Sequence, residues 1–306
     1  MTHYNTGVIM ELNLHDIKTI KNLMELHGIT FRKEFGQNFL TNSFVTEDIA
    51  DYCCDGESKT IFEIGPGIGT LTRELAKRYE NVLSVEIDRG LIPLLQYTLH
   101  GYENSVVINA DVMKLDLKEL LEPYFAKGGI SVCANLPYYI TTPVLMLLLE
   151  SGIRFDYITV MVQAEVADRL CARAGSSQYG SITAVLGYYG TVERLFEVPA
   201  NNFIPAPKVD SAVVRIKLFK ENPYARVGED QHELNERMLF RTIKAAFEQR
   251  RKTLVNALST GFPEIGKDKL LEAIVSCGHR ADIRGERLST AQFVELSDKI
   301  CALAGK

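Results

Sequence analysis

Short apolar runs alternate with segments of helical pattern between residues 60 and about 190. The apolar runs cover residues 60–64, 82–87, 105–109, 130–134 and 157–162. They are rich in Val and Ile and lack strict polar alternation, which is typical of strands covered on both faces. Helix-length segments separate them, at residues 70–79, 89–99 and 143–150. The pattern predicts an α/β fold with a doubly wound, mostly parallel, Rossmann-like sheet.

The pattern changes toward the C-terminus. Residues 182–189 and 211–218 are rich in β-forming residues and are predicted to extend the sheet at one edge. Residues 221–233, ENPYARVGEDQHE, are polar and turn-rich and are predicted to be a linker. Helical patterns follow to the end of the chain. We therefore expect a catalytic domain at 1–220 and a smaller all-helical domain at 221–306.

Composition restricts the class of protein and its location. The 306 residues are 46% hydrophobic and 24% charged, the balance of a globular protein. The N-terminal residues carry charges throughout, and no run reaches the length of a membrane span. The six cysteines form no C-x-x-C pair, and Cys133 lies in an apolar run. We expect a cytoplasmic protein with neither a metal site nor a membrane partner. The net charge of −5 argues against nucleic acid, but phosphate contacts depend on local patches.

A glycine-rich loop follows the first strand, in the sequence IFEIGPGIG at 61–69. The third glycine comes two residues after Gly67, so the dinucleotide fingerprint G-x-G-x-x-G is not matched. A tight turn alone would also explain these glycines. However, Glu86 ends the second strand 21 residues after Gly65, where a carboxylate can bind a ribose diol. Asp111 follows the third strand and could accept from an adenine amino group. The glycine-rich loop, a ribose-binding acid and an adenine-binding acid thus follow three successive strands. This order indicates that the cofactor is S-adenosylmethionine.

The fourth strand leads into NLPYYITTP at 135–143. The amine of adenine is a poor nucleophile because its lone pair is delocalised into the ring. Acceptors aimed at its N–H groups would free that lone pair, and Asn135 Oδ1 and the Leu136 carbonyl are candidates. Pro137 would fix the backbone and Tyr138 would stack on the base. Such a base must leave its neighbours, so the segment predicts a base-flipping site rather than a simple turn.

The sequence resembles the KsgA/RsmA-type ribosomal RNA adenine N6-dimethyltransferases from about residue 35 onward. The motifs that carry the resemblance are FGQNFL at 35–40, EIGPGIGTLT at 63–72, NLPYYITTP at 135–143, FIPAPKVDSAVVRI at 203–216 and AFEQRRKTLVNAL at 246–258. ERLS at 286–289 fits the terminal helix of the family. Tyr139 departs from the pattern, since many members carry a smaller polar residue there.

The resemblance implies roles for individual residues. The cofactor site would comprise Asn38, Leu40, Gly65, Gly67, Glu86, Ile87, Asp111 and Asn135. Asn38 and Leu40 would cover the methionine end of the cofactor, Gly65 would contact it through its backbone, and Ile87 would pack on its adenine. Residues 135–138 would be catalytic, and Phe203 would stack on the other face of the target adenine. Without the resemblance, Phe203 reads as an ordinary packed aromatic.

The resemblance also implies a substrate. It is a pair of adjacent adenines, dimethylated at N6, in the 3′-terminal hairpin loop of small-subunit (16S) rRNA, with a role in biogenesis of the subunit. We expect a monomer that acts on this RNA or on the immature small ribosomal subunit. The basic run Arg250, Arg251 and Lys252 would contact RNA phosphates. A solvated helix face is the alternative for this run.

Other functions remain open. A macrolide-resistance methyltransferase of large-subunit rRNA is similar, although QRRKTL and ERLS favour the small-subunit enzyme. A non-catalytic RNA-binding assembly factor or transcription factor could use the same scaffold, but would not need Asn135 or the glycine-rich loop. The glycine spacing disfavours an NAD-dependent oxidoreductase. DNA adenine and protein glutamine methyltransferases share the Asn-x-Pro-Tyr logic, but Leu136 and the helical C-terminus favour RNA.

Overall fold

The structure is a computed structural model that describes residues 12–32, 36–53, 56–137, 140–225 and 229–304. The chain forms two compact units. One comprises Met1–Ala164 and Leu195–Arg215, and the other comprises Glu165–Arg194 and Ile216–Lys306. The division into a catalytic domain at 1–220 and an RNA-contacting domain at 221–306 stays a prediction, because it concerns function.

The described residues form nine strands, and the predicted α/β sheet is confirmed. In chain order they are β1 (Phe39–Leu40), β2 (Ser58–Ile64), β3 (Asn81–Glu86), β4 (Ser105–Asn109), β5 (Gly129–Asn135), β6 (Phe155–Gln163), β7 (Gly190–Val198), β8 (Phe203–Ile204) and β9 (Ser211–Leu218). Seven of them form one sheet in the order β4-β3-β2-β5-β6-β9-β7. Neighbours from β4 to β6 run parallel. The central strands are buried, and each fully buried Val or Ile side chain contributes about 1.5–3 kcal/mol.

Twelve α-helices accompany the strands in the described part of the chain. The first six are α1 (Ile17–Leu26), α2 (Ser43–Tyr52), α3 (Thr70–Arg78), α4 (Ile92–Thr98), α5 (Leu117–Phe125) and α6 (Thr141–Glu150). The others are α7 (Ala164–Leu170), α8 (Ser181–Tyr189), α9 (Glu229–Glu248), α10 (Leu254–Gly261), α11 (Lys267–Ser276) and α12 (Thr290–Leu303). The predicted helical C-terminal region is confirmed. Within the predicted linker, 226–228 lie outside the described residues and α9 already begins at Glu229.

One predicted strand is wrong: residues 182–189 lie in the helix α8. Six of the nine residues of this helix are buried, so its sequence shows no continuous polar face. A continuous apolar run is compatible with a buried strand or a buried helix, and periodicity does not separate them. The strand that follows, β7, begins at Gly190 in extended conformation. The prediction for 211–218 is confirmed by β9.

Strand register brings the predicted site residues to one edge of the sheet. Ile64 at the end of β2 pairs with Val85 of β3 and with Ala134 of β5. Glu86 at the end of β3 pairs with Asn109 at the end of β4. The carboxyl ends of four parallel strands are therefore level, which is where open α/β sheets bind ligands.

A small antiparallel sheet, β1 with β8, lies within the first unit. Leu40 pairs with Phe203, and Phe39 pairs with Ile204. Beyond the strands, Asn42 Nδ2 donates to Asn202 Oδ1 over 2.8 Å. This pairing fixes the chain that precedes α2 against residues far along the sequence.

Candidate active site

A cavity of about 270 Å³ lies at the carboxyl ends of β2 to β5, and described residues of the first unit line it. All eight residues predicted to bind the cofactor line this cavity: Asn38, Leu40, Gly65, Gly67, Glu86, Ile87, Asp111 and Asn135. None of the described lining residues is Lys or Arg, whereas two are carboxylates. The cavity therefore suits a neutral or cationic ligand better than a phosphate.

The glycine-rich loop needs its glycines for backbone conformation and for space. Gly65 and Gly67 have φ values of 75° and 60°, in the left-handed region that side chains rarely adopt. A Cβ on Gly67 would also lie 3.2 Å from the ring of Phe39, which lines the cavity. The loop therefore brings backbone to the cavity surface, where a ligand can approach it closely.

Glu86 is buried, and its carboxylate accepts two backbone N–H groups. One comes from Asp88, over 2.7 Å to Oε1, and the other from Gly67, over 3.2 Å to Oε2. Burial raises the pKa of Glu86 to about 7, although these N–H groups favour the charged form. The carboxylate is thus held in position at the cavity wall, and its charge is sensitive to pH near neutrality.

Asp111 lies at the start of a short 3-10 turn after β4. Its Oδ1 accepts from the Met113 N–H over 3.1 Å, and its Oδ2 lies 3.5 Å from Lys114 Nζ. Ile87 is 47% exposed and Met113 41% exposed, although both line the cavity. These apolar side chains and the carboxylate together offer surface and an acceptor for a flat, amine-bearing ring.

Asn135 ends β5 and is oriented by the segment before β1. Its Nδ2 donates to the Asn38 carbonyl over 3.4 Å, so Oδ1 is the atom of this amide left to accept. Pro137 lines the cavity, and the buried Leu136 side chain does not. Tyr138 and Tyr139 lie outside the described residues. The roles of residues 135–138 therefore stay predictions, with the Asn135 geometry compatible with its assigned role.

Phe203 pairs with the cavity residue Leu40 across the small β1–β8 sheet. Its side chain is 5% exposed and packs in a core cluster with Leu40, Val45 and Val213. It is not among the described lining residues of the cavity. Stacking of Phe203 on a target adenine therefore remains a prediction, and its surroundings are those of a packed aromatic.

The predicted RNA-binding run lies in the second unit, after α9. The Arg250 guanidinium donates to the carbonyls of Ser177 and Tyr179 over 3.0 and 2.9 Å, so it holds the loop before α8. All three residues of the run are exposed, but the Arg250 guanidinium is engaged with these two carbonyls. Within this run, Arg251 and Lys252 are therefore better placed than Arg250 to contact a phosphate.

Several residues that line the cavity were not predicted from sequence, among them Met113 and Gln37. Met113 lies two positions after Asp111, and nothing in the sequence pattern distinguishes it from an ordinary apolar residue. Gln37 lies inside the FGQNFL motif, which is the sequence signal that could have identified it.

The described residues contain no helix long and apolar enough to span a membrane. Across the same residues, no group of three or more His, Cys, Asp or Glu could hold a metal.

Another buried carboxylate lies in β2, two residues before the first glycine of the glycine-rich loop. Glu63 of β2 is 1% exposed, and its Oε2 accepts from the hydroxyls of Thr72 and Ser84 over 2.8 and 2.6 Å. Burial raises its pKa to about 7 from 4.5. The folded state therefore binds this proton more tightly than the unfolded state. As a result, Glu63 lowers the free energy of unfolding as pH rises from about 5 to 7.

We expect Glu63→Gln to remove this pH dependence, because glutamine resembles the protonated acid. The variant should gain unfolding free energy relative to wild type as pH rises, by on the order of 2–3 kcal/mol at pH 8. Denaturant unfolding between pH 5 and 8 measures this difference. Glu80→Gln, at an exposed position, is the control and should leave the pH profile unchanged. Parallel profiles for Glu63→Gln and wild type would contradict the assignment.

The sheet order, the glycine-rich loop and the two carboxylates at successive strand ends define a Rossmann-like nucleoside-cofactor enzyme of the methyltransferase class. A solved dimethyladenosine transferase from Plasmodium falciparum shares the fold, with a TM-score of 0.66 and 22% identity over 84% of this chain and 95% of that chain. The solved 23S rRNA methyltransferase ErmE is similar, with a TM-score of 0.65 and 25% identity over 86% of this chain and 99% of that one.

Sequence comparison narrows the class further. The family model for ribosomal RNA adenine dimethylase matches residues 28–298. The ribosomal RNA small subunit methyltransferase A of Streptococcus pneumoniae serotype 2 is 42% identical over 292 residues, which is 94% of this chain and 98% of that protein. The chain belongs to the ribosomal RNA adenine dimethylase family, as its motifs had predicted.

Proposed function

We propose that this protein transfers methyl groups from S-adenosylmethionine to N6 of two adjacent adenines in the 3′-terminal hairpin loop of small-subunit rRNA. The observation that carries the proposal is the cavity beside Asn135, which has two carboxylates and no described basic side chain. A sulfonium cofactor without phosphate fits that set of groups. The family match supports the choice of adenine in ribosomal RNA.

The cofactor's own contribution is an electrophilic methyl group on a positively charged sulfur. Glu86 would accept hydrogen bonds from the ribose hydroxyls, and its carboxylate is already fixed by backbone N–H groups. Asp111 would accept from the adenine amine of the cofactor, with Ile87 against the ring. Asn38 and Leu40 would cover the methionine end. These residues bind and orient the cofactor, and none of them has to move a proton.

Asn135 and Leu136 would act on the target base. Asn135 Oδ1 and the Leu136 carbonyl would accept from the two N–H groups of the adenine amine in the first transfer, and one of them would accept from the single N–H that remains in the second. After each transfer the methylated nitrogen, now positively charged, loses a proton to water. As the nitrogen becomes tetrahedral and positive, these N–H groups become stronger donors, so the acceptors stabilise the transition state more than the ground state. Pro137 restricts the backbone that carries the carbonyl. Tyr138 and Phe203 would hold the flipped ring.

The small subunit is the favoured source of the target. The relative named for the small subunit is 42% identical over nearly its full length, whereas the large-subunit enzyme ErmE is 25% identical. We place the protein in the cytoplasm as a monomer, acting on the immature small subunit during its biogenesis. A large-subunit adenine is the competing substrate.

Methyl transfer from labelled S-adenosylmethionine tests the proposal directly. The purified protein is offered small subunits lacking the modification and, separately, large subunits. Digestion of the labelled RNA then identifies the nucleoside. N6,N6-dimethyladenosine confined to the small subunit supports the proposal, and label in the large subunit favours the competing substrate. Absence of transfer to either RNA, with cofactor bound, would indicate a non-catalytic assembly factor.

The two residues of the basic run that follow Arg250 give a separate prediction. Replacing Arg251 and Lys252 by Gln should weaken RNA binding and reduce the log–log salt slope by about 0.7–0.9 for each phosphate that the variant no longer neutralises. Arg250→Gln should instead lower the melting temperature, because its guanidinium holds two loop carbonyls. Binding isotherms at several salt concentrations measure the slope.

The control for this prediction is the pair Lys267→Gln and Lys269→Gln, two exposed lysines of α11 in the same unit. The control pair and the test pair each remove two positive charges, so they change the net charge equally. A slope that falls as much in the control as in the test pair would show a general charge effect instead of local phosphate binding. An unchanged slope in the test pair would assign Arg251 and Lys252 to the solvated surface.

A further inference from the structure

The segment before β1 is tied to the end of β3 by a glutamine and a buried aspartate. Gln37 Nε2 donates to Asp88 Oδ2 over 2.7 Å, while Gln37 Oε1 accepts from the backbone N–H of Arg32 over 2.8 Å. Asp88 Oδ1 accepts from the Gly90 N–H over 2.9 Å and lies 3.4 Å from the Arg32 guanidinium. We call the hydrogen bond between the Gln37 and Asp88 side chains the Gln37–Asp88 latch.

Asp88 connects this latch to the predicted ribose-binding acid. Its side chain is 1% exposed, and a buried carboxylate is tolerated only when hydrogen-bonded or paired. Its own backbone N–H donates to Glu86 Oε1 over 2.7 Å. One residue thus holds the N-terminal segment through its side chain and Glu86 through its main chain.

The chemistry of the latch specifies the residue at position 37. The amide of Gln37 presents an acceptor to an N–H group and a donor to a carboxylate. A glutamate has the same shape but would place a second carboxylate against Asp88. An asparagine is shorter by one methylene and could not span both partners. Only the glutamine side chain has both the length and the polarity that these partners require.

Gln37 is followed directly by residues of the cavity wall. Gly36, Gln37, Asn38, Phe39 and Leu40 all line the cavity. Phe39 and Leu40 are held on one side by β8. The latch holds the other end of this short segment, so the wall is fixed at both of its ends.

We propose that Gln37 and Asp88 are positioning residues for the cofactor, which seat residues 36–40 as a wall of its site. The inference rests on the proposed function in taking S-adenosylmethionine as the ligand. Loss of the latch should raise the Kd and the KM for S-adenosylmethionine. It should change kcat less than the Kd and the KM at saturating cofactor, because β5 holds the backbone of Asn135 and the bond from its side chain to the Asn38 carbonyl is long, at 3.4 Å.

Reversal of polarity tests the latch on the full chain. Gln37→Glu should weaken S-adenosylmethionine binding, measured by calorimetry, roughly tenfold or more, because it opposes two carboxylates. Combining Gln37→Glu with Asp88→Asn should restore much of the affinity. In that double variant the new carboxylate accepts from the new amide and from the Arg32 N–H. If Gln37 instead acts by contacting the cofactor directly, and not through Asp88, no such recovery is expected.

Two further variants keep the test decisive. Gln96→Glu makes the same charge change at an exposed position on α4 and should bind the cofactor like wild type. Gln37→Ala removes the latch without adding charge, and serves if Gln37→Glu melts below the assay temperature. It should also weaken binding more than it changes kcat.

The possible results separate the latch from the function itself. Wild-type affinity in Gln37→Glu or Gln37→Ala, or a double variant no tighter than the single one, would overturn the inference. Failure of the wild-type protein to bind S-adenosylmethionine would instead overturn the proposed function. Weakened single variants, a recovered double variant and an unaffected Gln96→Glu would support the latch.

Discussion

Replacement of Asn135 by Ala should reduce kcat for adenine methylation about a hundredfold or more. The side-chain oxygen of Asn135 would accept from the target amine, and this interaction strengthens as the nitrogen becomes tetrahedral. The substitution should therefore lower kcat more than it weakens binding of the base. Single-turnover transfer of labelled methyl groups to small subunits measures the effect without interference from product release.

Cofactor binding separates this role from a general defect. Asn135 also donates to the Asn38 carbonyl, but over 3.4 Å, so its loss should change cofactor affinity by only a small factor. Asn135→Asp keeps an acceptor oxygen and should retain more activity than Asn135→Ala. Near-normal turnover of the alanine variant would show that Asn135 does not act on the target amine.

Glu86→Ala should reduce the affinity for S-adenosylmethionine by roughly ten- to a hundredfold. Hydrogen bonds from the ribose hydroxyls to a carboxylate are each worth about 1.5–3 kcal/mol. Part of this loss of binding free energy is offset, because the alanine variant does not bury a carboxylate charge. Titration calorimetry with the cofactor measures the change, and an unaltered affinity would leave Glu86 as a buried strand-end acid without a ligand.

The pH dependence of this affinity gives an independent check. Hydroxyl donors favour the charged carboxylate, whose pKa in the free protein is raised to about 7 by burial. The cofactor should therefore bind more tightly as pH rises through 7. Below pH 7 the affinity should fall by a factor that approaches ten per pH unit. Glu86→Gln should lose this component of the pH profile. An identical slope in wild type and variant would assign the titration to another group.

The central strands were predictable because a parallel sheet buries both faces of each strand. Runs such as 130–134 then contain Val and Ile without polar alternation. The same reasoning failed at 182–189, because most of α8 is buried and its sequence is a similar continuous apolar run. Flanking residues, Gly180 and Gly190, mark the ends of that segment but are compatible with either structure.

The cofactor residues at strand ends were predictable for a related reason. Parallel strands end at one edge, so acids at the ends of successive strands reach the same site, and Glu86 and Asp111 both line the cavity. The partner of Gln37 was not predictable in this way. Gln37 and Asp88 are 51 positions apart, and only tertiary packing shows that an amide there faces a carboxylate.

The pairing of β1 with β8 has a consequence for synthesis of the protein on the ribosome. Leu40 is held by Phe203, and most of the doubly wound sheet lies between them in the chain. A nascent chain that has released β2 to β5 already contains the glycine-rich loop and both acids, but not the strand that fixes the N-terminal wall. Pairings so distant in sequence form late, because loop closure must precede them. A growing chain should therefore gain affinity for the cofactor only after residue 204 has left the exit tunnel.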